Sequence, residues 1–367
     1  MPPEVSLVRC GSYGREEVYK AVRKSVGLIG GIRRFVKPGE TVLVKPNMLS
    51  ARPPEEAVTT HPEVVRAVIK LIREAEGAPR VGDSHGGSHH RMEEVYEKTG
   101  IGKVCDEEKV EKLVFEKFRK IDGIPVALEA LEADSVVSVP RFKTHSLTLL
   151  TAGVKNMFGI VPGLFKTRCH MEAPNPAAFA KLLAKVYSFR PPSLTVLDGV
   201  TAMEGEGPGS AGTPKKMDLI AASCDAASLD ETLCRIMGVN PEEVPLLRET
   251  RKIFPARGEA EIEGEKWEAF HKEDFKLPGG TFLHRLPNAV LRPAALLLKT
   301  FPDVNPANCT RCGVCLKNCP AGAITEKKGG LVFNRHKCIL CLCCLEFCPH
   351  NAIAIRKNPI FRLVRPG

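Results

Sequence analysis

The sequence predicts an α/β domain with a mostly parallel, doubly wound sheet, followed by a small α+β domain organised by cysteines. Three observations carry this prediction. Across residues 1–275 short apolar runs alternate with amphipathic helical segments. Polar residues cluster just after those runs. Eight of the fourteen cysteines, all within the last sixty residues, form two copies of one pattern.

Taken in order, Thr41 to Val44 reads as a strand. Thr60-His61-Pro62-Glu63 then reads as a capping box opening a helix with Val64, Val68, Leu71, Ile72 and Ala75 on one face. Gly77 ends that helix and Val81 continues a short strand, with further strands expected at Ser135 to Val139, Leu194 to Leu197 and Leu219 to Ala222. A Pro-rich, weakly periodic stretch, 276–300, is expected to be a linker or docking segment before a terminal domain over 301–367. Within it Ala294 to Leu298 is too short to span a bilayer and is flanked by Arg292, Pro293 and Lys299, so it reads as a buried helix or docking element. The start, MPPEVSLVRC, lacks a basic stretch followed by an apolar run, so no signal peptide is expected and the cytoplasm is the expected setting.

The cysteine patterns are Cys309-x2-Cys312-x2-Cys315-x3-Cys319-Pro320 and Cys338-x2-Cys341-x2-Cys344-x3-Cys348-Pro349. This is the ligand spacing of two [4Fe-4S] clusters, in which a close triad holds three corners of one cube and the fourth Cys ligates the other. The expected sets are Cys309, Cys312, Cys315 and Cys348 for the first cluster, and Cys338, Cys341, Cys344 and Cys319 for the second. Zinc ribbons space two Cys pairs by a longer loop and need no doubled triad. The terminal domain is therefore expected to be a ferredoxin-like module moving single electrons. Cys10, Cys105, Cys169, Cys224, Cys234 and Cys343 show no pairing rhythm and read as reduced thiols.

The formal charge of +10 is not a nucleic-acid signal. From Phe301 onward ten Lys and Arg face three Asp and Glu, an excess of seven that offsets the negative charge of thiolate-ligated clusters. No basic run is interleaved with stacking aromatics, so nucleic acid is excluded in favour of a small anionic substrate or an acidic redox partner.

Four polar segments follow the strands: Lys45-Pro46-Asn47, Asp83-Ser84-His85-Gly86-Gly87, Arg141 to His145, and Asp198-Gly199. As loops at strand carboxyl ends they would converge on one crevice, where open parallel sheets bind ligands. Nearby, Gly153-Val154-Lys155-Asn156 reads as a helix start able to hold an anion, with Met157 and Phe158 turned to the core. Residues 204–212 form a glycine-rich loop that lacks phosphate-binding spacing. It reads as either an active-site loop or a connector.

Lys45-Pro46-Asn47, Thr60-His61-Pro62, Asp83-Ser84, Lys143-x-His145, Lys155-Asn156-x-x-Gly159, Gly205-x-Gly207-Pro208 and the segment from Asp225 to Asp230, joined to a double cluster motif, resemble the family called domain of unknown function 362. That resemblance spans nearly the whole chain and implies fold and cluster content without a reaction. The order His85, His145, Lys155, His170 more distantly resembles the nickel-pincer lactate racemases. It implies Lys155 as cofactor anchor, His170 as metal ligand and His145 with His85 as an acid–base pair. Racemisation carries no net redox change, so two clusters have no place in it.

Two function classes follow. In the first, the chain is an enzyme whose clusters take electrons from a ferredoxin-like or other redox protein. They pass to a small anion held by Lys45, Asn47, Asp83, Lys143 and Asn156, with His145, His85 and Lys155 in the chemistry and an additional cofactor left open. In the second, the chain is a non-catalytic electron-transfer or maturation partner that docks another protein. Some three hundred residues with a polar crevice precede the cysteines, more than a simple carrier needs, which favours the enzyme.

Overall fold

The computed structural model describes residues 2–85, 91–163, 165–173, 175–209, 211–256, 258–279, 301–327, 330–339, 341–350 and 352–356. The larger body contains β1 (Glu4–Arg9), β2 (Thr41–Pro46), β3 (Ala78–Asp83), β4 (Glu111–Val114), a separate hairpin of β5 (Phe118–Ile121) and β6 (Ile124–Ala127), β7 (Ser135–Val139), β8 (Arg141–His145), β9 (Leu149–Thr151), β10 (Leu194–Gly205), β11 (Gly212–Ser223) and β12 (Glu261–Gly264). All but the β5–β6 hairpin join one sheet of order β12-β1-β11-β10-β7-β2-β3-β4, with β8 beside β10 and β9 beside β8.

The block β10-β7-β2-β3-β4 is parallel throughout, while β11 runs antiparallel to both β1 and β10. Side chains alternate between two cores, as the strand period requires: Val42 and Val44 join one, Leu43 the other. Helices Arg15–Leu28 and Pro62–Glu74 cover the first face, and Pro176–Phe189 and Ala226–Ile236 the second. Burial on both faces is what a parallel sheet needs, and the predicted doubly wound α/β class is the one observed.

Local structure departs from the sequence reading at three places. Asp198-Gly199 is not a turn after a strand but lies inside the twelve-residue β10. A Cβ at Gly199 would meet Leu219 O at 2.9 Å, and the register with β11 shifts just beyond it, so the glycine marks close strand approach at an irregularity. Arg141 to His145 is likewise a strand, β8, set off from β7 by Pro140, which cannot donate to a ladder. The third concerns the helix cap. Thr60 Oγ1 donates to Val139 O at 2.6 Å and accepts from Asn47 N at 2.8 Å, so His61 Nδ1 takes the Glu63 N–H instead, at 3.2 Å.

The body continues past residue 275. Phe275 stacks on Phe142 at 5.7 Å, Gly205 N–H donates to Lys276 O at 2.7 Å, and Gly279 N–H donates to Glu206 Oε1 at 2.9 Å. The rest of the expected linker, including Ala294 to Leu298, lies outside the described residues, as do Gly86 and Gly87.

The terminal module pairs β13 (Phe301–Val304) with β16 (Ile353–Arg356), and β14 (Ile324–Lys327) with β15 (Gly330–Phe333), all antiparallel. Short helices Val314–Lys317 and Cys343–Glu346 carry the third cysteine of each triad, Cys315 and Cys344. This is the predicted α+β ferredoxin-like arrangement. No helix among the described residues is long and apolar enough to cross a membrane.

Candidate functional site

The expected crevice lies at the switch point of the sheet. From β2 the chain crosses to β3 and β4 on one side, whereas β7 lies on the other, and Lys45 pairs in register with Ser138. Ligands of open α/β sheets bind where neighbouring strands part in this way. Asn156 ties the two strand ends together, its Nδ2 donating to Lys45 O at 3.1 Å and Ser138 Oγ at 2.9 Å. Its Oδ1 accepts from Asn47 Nδ2 at 3.3 Å, and Asn47 Oδ1 accepts from Lys143 Nζ at 3.0 Å. Lys143 also donates to Val58 O at 2.7 Å.

Lys45 and Asp83 face each other, Nζ to Oδ1 at 2.7 Å, and both are buried. Asp83 Oδ2 accepts from Met48 N–H at 2.8 Å. Gly159 packs against the pair, and a Cβ there would overlap Asp83 Oδ1 and Lys45 Nζ. Burial lowers the Lys45 ammonium, with Asp83 opposing. These two sequence-nominated residues therefore engage each other.

The helix start at Gly153 is also satisfied internally, against the expectation that it holds a ligand anion. Asp230 accepts from Gly153 N–H at 2.7 Å and Val154 N–H at 3.0 Å. Burial raises its carboxyl to about 7, outweighing those donors. Met157 and Phe158 lie in the core, as expected.

Alternation along β8 puts Arg141, Lys143 and His145 on one face, with Phe142 turned to the core. His145 Nδ1 accepts from Leu147 N–H at 3.0 Å and Thr148 N–H at 3.4 Å. Burial lowers the imidazole to about 4, so near neutrality it carries one proton, and with Nδ1 accepting that proton sits on Nε2. Burial pushes Lys143 well below the usual lysine range, with Lys155 adding to the shift.

Lys166 and His170 stand one turn apart on the helix Phe165–Glu172. Lys166 donates to Ser84 O, and burial takes it down to about 7. The His170 ring stacks on Phe179 at 4.3 Å, and burial lowers it to about 4. Among the described residues no three His, Cys, Asp or Glu side chains stand at single-ion spacing, so His170 has no described co-ligands there. His85 is buried just beyond Ser84, and Lys155 is half-buried with its ammonium lowered by burial.

One residue of the site escaped the sequence reading. Glu346, on the helix Cys343–Glu346, is 9% exposed, and its Oε1 stands 3.4 Å from His145 Nε2. Both atoms are buried without a well-formed hydrogen bond. Burial raises the carboxyl, but His145, Lys155 and His170 outweigh that and hold it at about 2. Its charge also acts on Lys143 and Lys166. In the sequence Glu346 is a spacer within a cysteine motif, and nothing in that spacing marks it.

Two further contacts seat the module at the crevice. The tip of the β10–β11 hairpin packs on the Glu346 backbone, where a Cβ at Gly209 would lie 3.5 Å from Glu346 Cα. Arg52 Nη2 donates to Cys348 O at 2.8 Å. The glycine-rich loop thus makes contact with the module.

Within the module, Cys309, Cys312, Cys315 and Cys348 line one small cavity. Cys319, Cys338, Cys341 and Cys344 line a second. Four thiols converging on one cavity are the donor set an iron–sulfur cluster takes. Cys343, buried beside Cys341, is absent from both linings.

Residues 42–235 match the family model described as a domain of unknown function, DUF362, and residues 308–353 match a 4Fe-4S dicluster domain. The chain is 34% identical to the thylakoid-associated protein sll1697 of Synechocystis sp. over 307 residues, covering 77% of this chain and 95% of that protein. Among solved structures it shows a likeness to the lactate racemase apoprotein from Thermoanaerobacterium thermosaccharolyticum, with a TM-score of 0.42 and 14% identity. That match covers 64% of this chain and 56% of the racemase.

Proposed function

The chain belongs to the family described as domain of unknown function 362, with a 4Fe-4S dicluster domain that gives it a redox or electron-transfer role, and from that premise we propose that it passes low-potential electrons to a small anionic substrate held in the crevice. In this reading Cys309, Cys312, Cys315 and Cys348 hold one [4Fe-4S] cluster, and Cys319, Cys338, Cys341 and Cys344 hold the second. Bound clusters supply one-electron transfer. A ferredoxin-like or other redox protein is the expected donor, in a cytoplasmic setting.

The observation that carries the reading is Glu346. Its side chain reaches the crevice from a helix between Cys344, on one cavity, and Cys348, on the other. Two residues along a helix is about 3 Å of rise, so cysteine cavities and crevice adjoin. Lys143, Lys155 and Lys166 supply donors for an anion, whose own charge would favour their protonated forms, and neutral His145 presents an Nε2–H able to donate a hydrogen bond to it. Lys45 and Asp83 shape the floor instead of touching the ligand.

The test is anaerobic purification followed by mass spectrometry of retained small molecules. Wild-type protein is expected to retain an anion that Lys155→Ala releases, with the cluster spectra of both proteins alike. A crevice empty in the wild type and indifferent to Lys155→Ala would overturn the enzyme reading in favour of a docking partner.

The cysteine assignment has its own test. Wild-type and Cys343→Ser proteins are expected to hold about eight iron per chain, and Cys341→Ser about four. Equal loss in both variants, or stoichiometric zinc in place of iron, would contradict the assignment.

A further inference from the structure

We propose that the crevice is a carboxylate site filled by the chain's own Glu346, and that its ligand is a small organic carboxylate that displaces this side chain. The inference rests on the crevice being an anion site and narrows the class of anion.

Burying a basic side chain away from an anion costs it its charge, and this region buries several. Lys45 is paired with Asp83, whereas among the described residues Lys143 donates to the neutral oxygens of Asn47 and Val58, and Lys166 to Ser84 O. Glu346 is the carboxylate that stands against His145, Oε1 to Nε2 at 3.4 Å, on the face of β8 that also carries buried Lys143. It does not belong to the α/β body: it arrives from the cysteine module, two hundred residues beyond His145 in the chain. The body thus presents a seat of buried basic side chains, and a carboxylate from elsewhere occupies it.

Its fit is poor. His145 Nε2 and Glu346 Oε1, at 3.4 Å, are both buried and both lack a well-formed hydrogen bond. A free carboxylate, unconstrained by a helix, can close to about 2.8 Å and gain the charge-assisted bond that Glu346 misses. The planar, two-oxygen group already seated there defines the ligand chemistry, and the tetrahedral phosphate group is the alternative to exclude.

The test titrates acetate and inorganic phosphate into cluster-loaded wild-type, Glu346→Ala and Glu346→Ala/Lys155→Ala proteins by calorimetry, with cluster absorbance as the check on folding. Acetate is expected to bind Glu346→Ala at least about tenfold more tightly than wild type, because its internal competitor is gone, and to lose this gain in the double variant. Should Glu346→Ala fail to fold, Glu346→Gln keeps the side-chain shape, removes its charge and is expected to shift acetate affinity in the same direction. Phosphate binding without an acetate gain would overturn the carboxylate class while sparing the anion site. No binding of either anion in any variant would overturn both.

Discussion

Asp198→Ala is expected to destabilise the α/β body by ~3–5 kcal/mol, the cost of stranding one member of a buried ion pair. Asp198 Oδ2 lies 2.6 Å from Arg141 Nη1 and accepts from His61 N–H at 2.8 Å, while Oδ1 accepts from Tyr13 Oη at 2.8 Å. Arg141 is fully buried, and its Nε and Nη2 already lack partners, so removing Asp198 leaves a guanidinium with no counter-charge in contact. The damage spreads to a helix start, because the Tyr13 ring stacks on His61 at 3.7 Å and His61 caps Pro62–Glu74. Denaturant unfolding followed by circular dichroism measures the loss, and faster hydrogen exchange at the Glu63 amide is the local signature. Asp198→Asn should lose less, since it keeps an acceptor. A shift of Asp198→Ala below about 1 kcal/mol would refute the account.

Asp83→Ala is expected to cost a similar ~3–5 kcal/mol by leaving the Lys45 ammonium in the floor without its partner. Lys45 is fully buried, and its Nζ also donates to Pro46 O at 3.1 Å. The orphaned lysine can shed its proton, which limits the penalty without abolishing it. Gly159→Ala attacks the same pair without removing either member, since the new methyl would occupy the space of both charged ends. It should destabilise in the same direction by ~1–3 kcal/mol, the usual range for overpacking a tight interior. Urea midpoints for the two variants and their combination check this. If the pair is the shared target, the combined loss falls short of the sum.

Residues whose meaning lies in local spacing were legible in the sequence. The doubled cysteine motif pointed to the dicluster domain, and Ser135 to Val139 appears as β7 with unchanged bounds. The site was legible in part: Lys45 and Asp83 lie at the carboxyl ends of β2 and β3, while Lys143 and His145 lie on a strand read as a loop. What the sequence hid were contacts between distant segments. Asp198 looked like a turn because Asp-Gly usually is one, and only pairing with Arg141 and Tyr13 explains it mid-strand. Asp230 lies seventy-seven residues from the helix start it caps, and Glu346 lies two hundred and one from His145. No periodicity records such meetings, because tertiary packing alone brings them about.

The outermost strands of the large sheet, β12 and β4, are four residues each. β12 carries Glu261 and Glu263, and β4 opens with Glu111 and Lys112, which are paired to Arg80 and Asp106 at 2.7 and 3.2 Å. An incoming strand from another copy would find a short ladder and would have to meet fixed charges along it. Such edges resist the strand-by-strand addition that turns open sheets into aggregates. The α/β body is thereby guarded at these two edges against pairing with a second copy of itself.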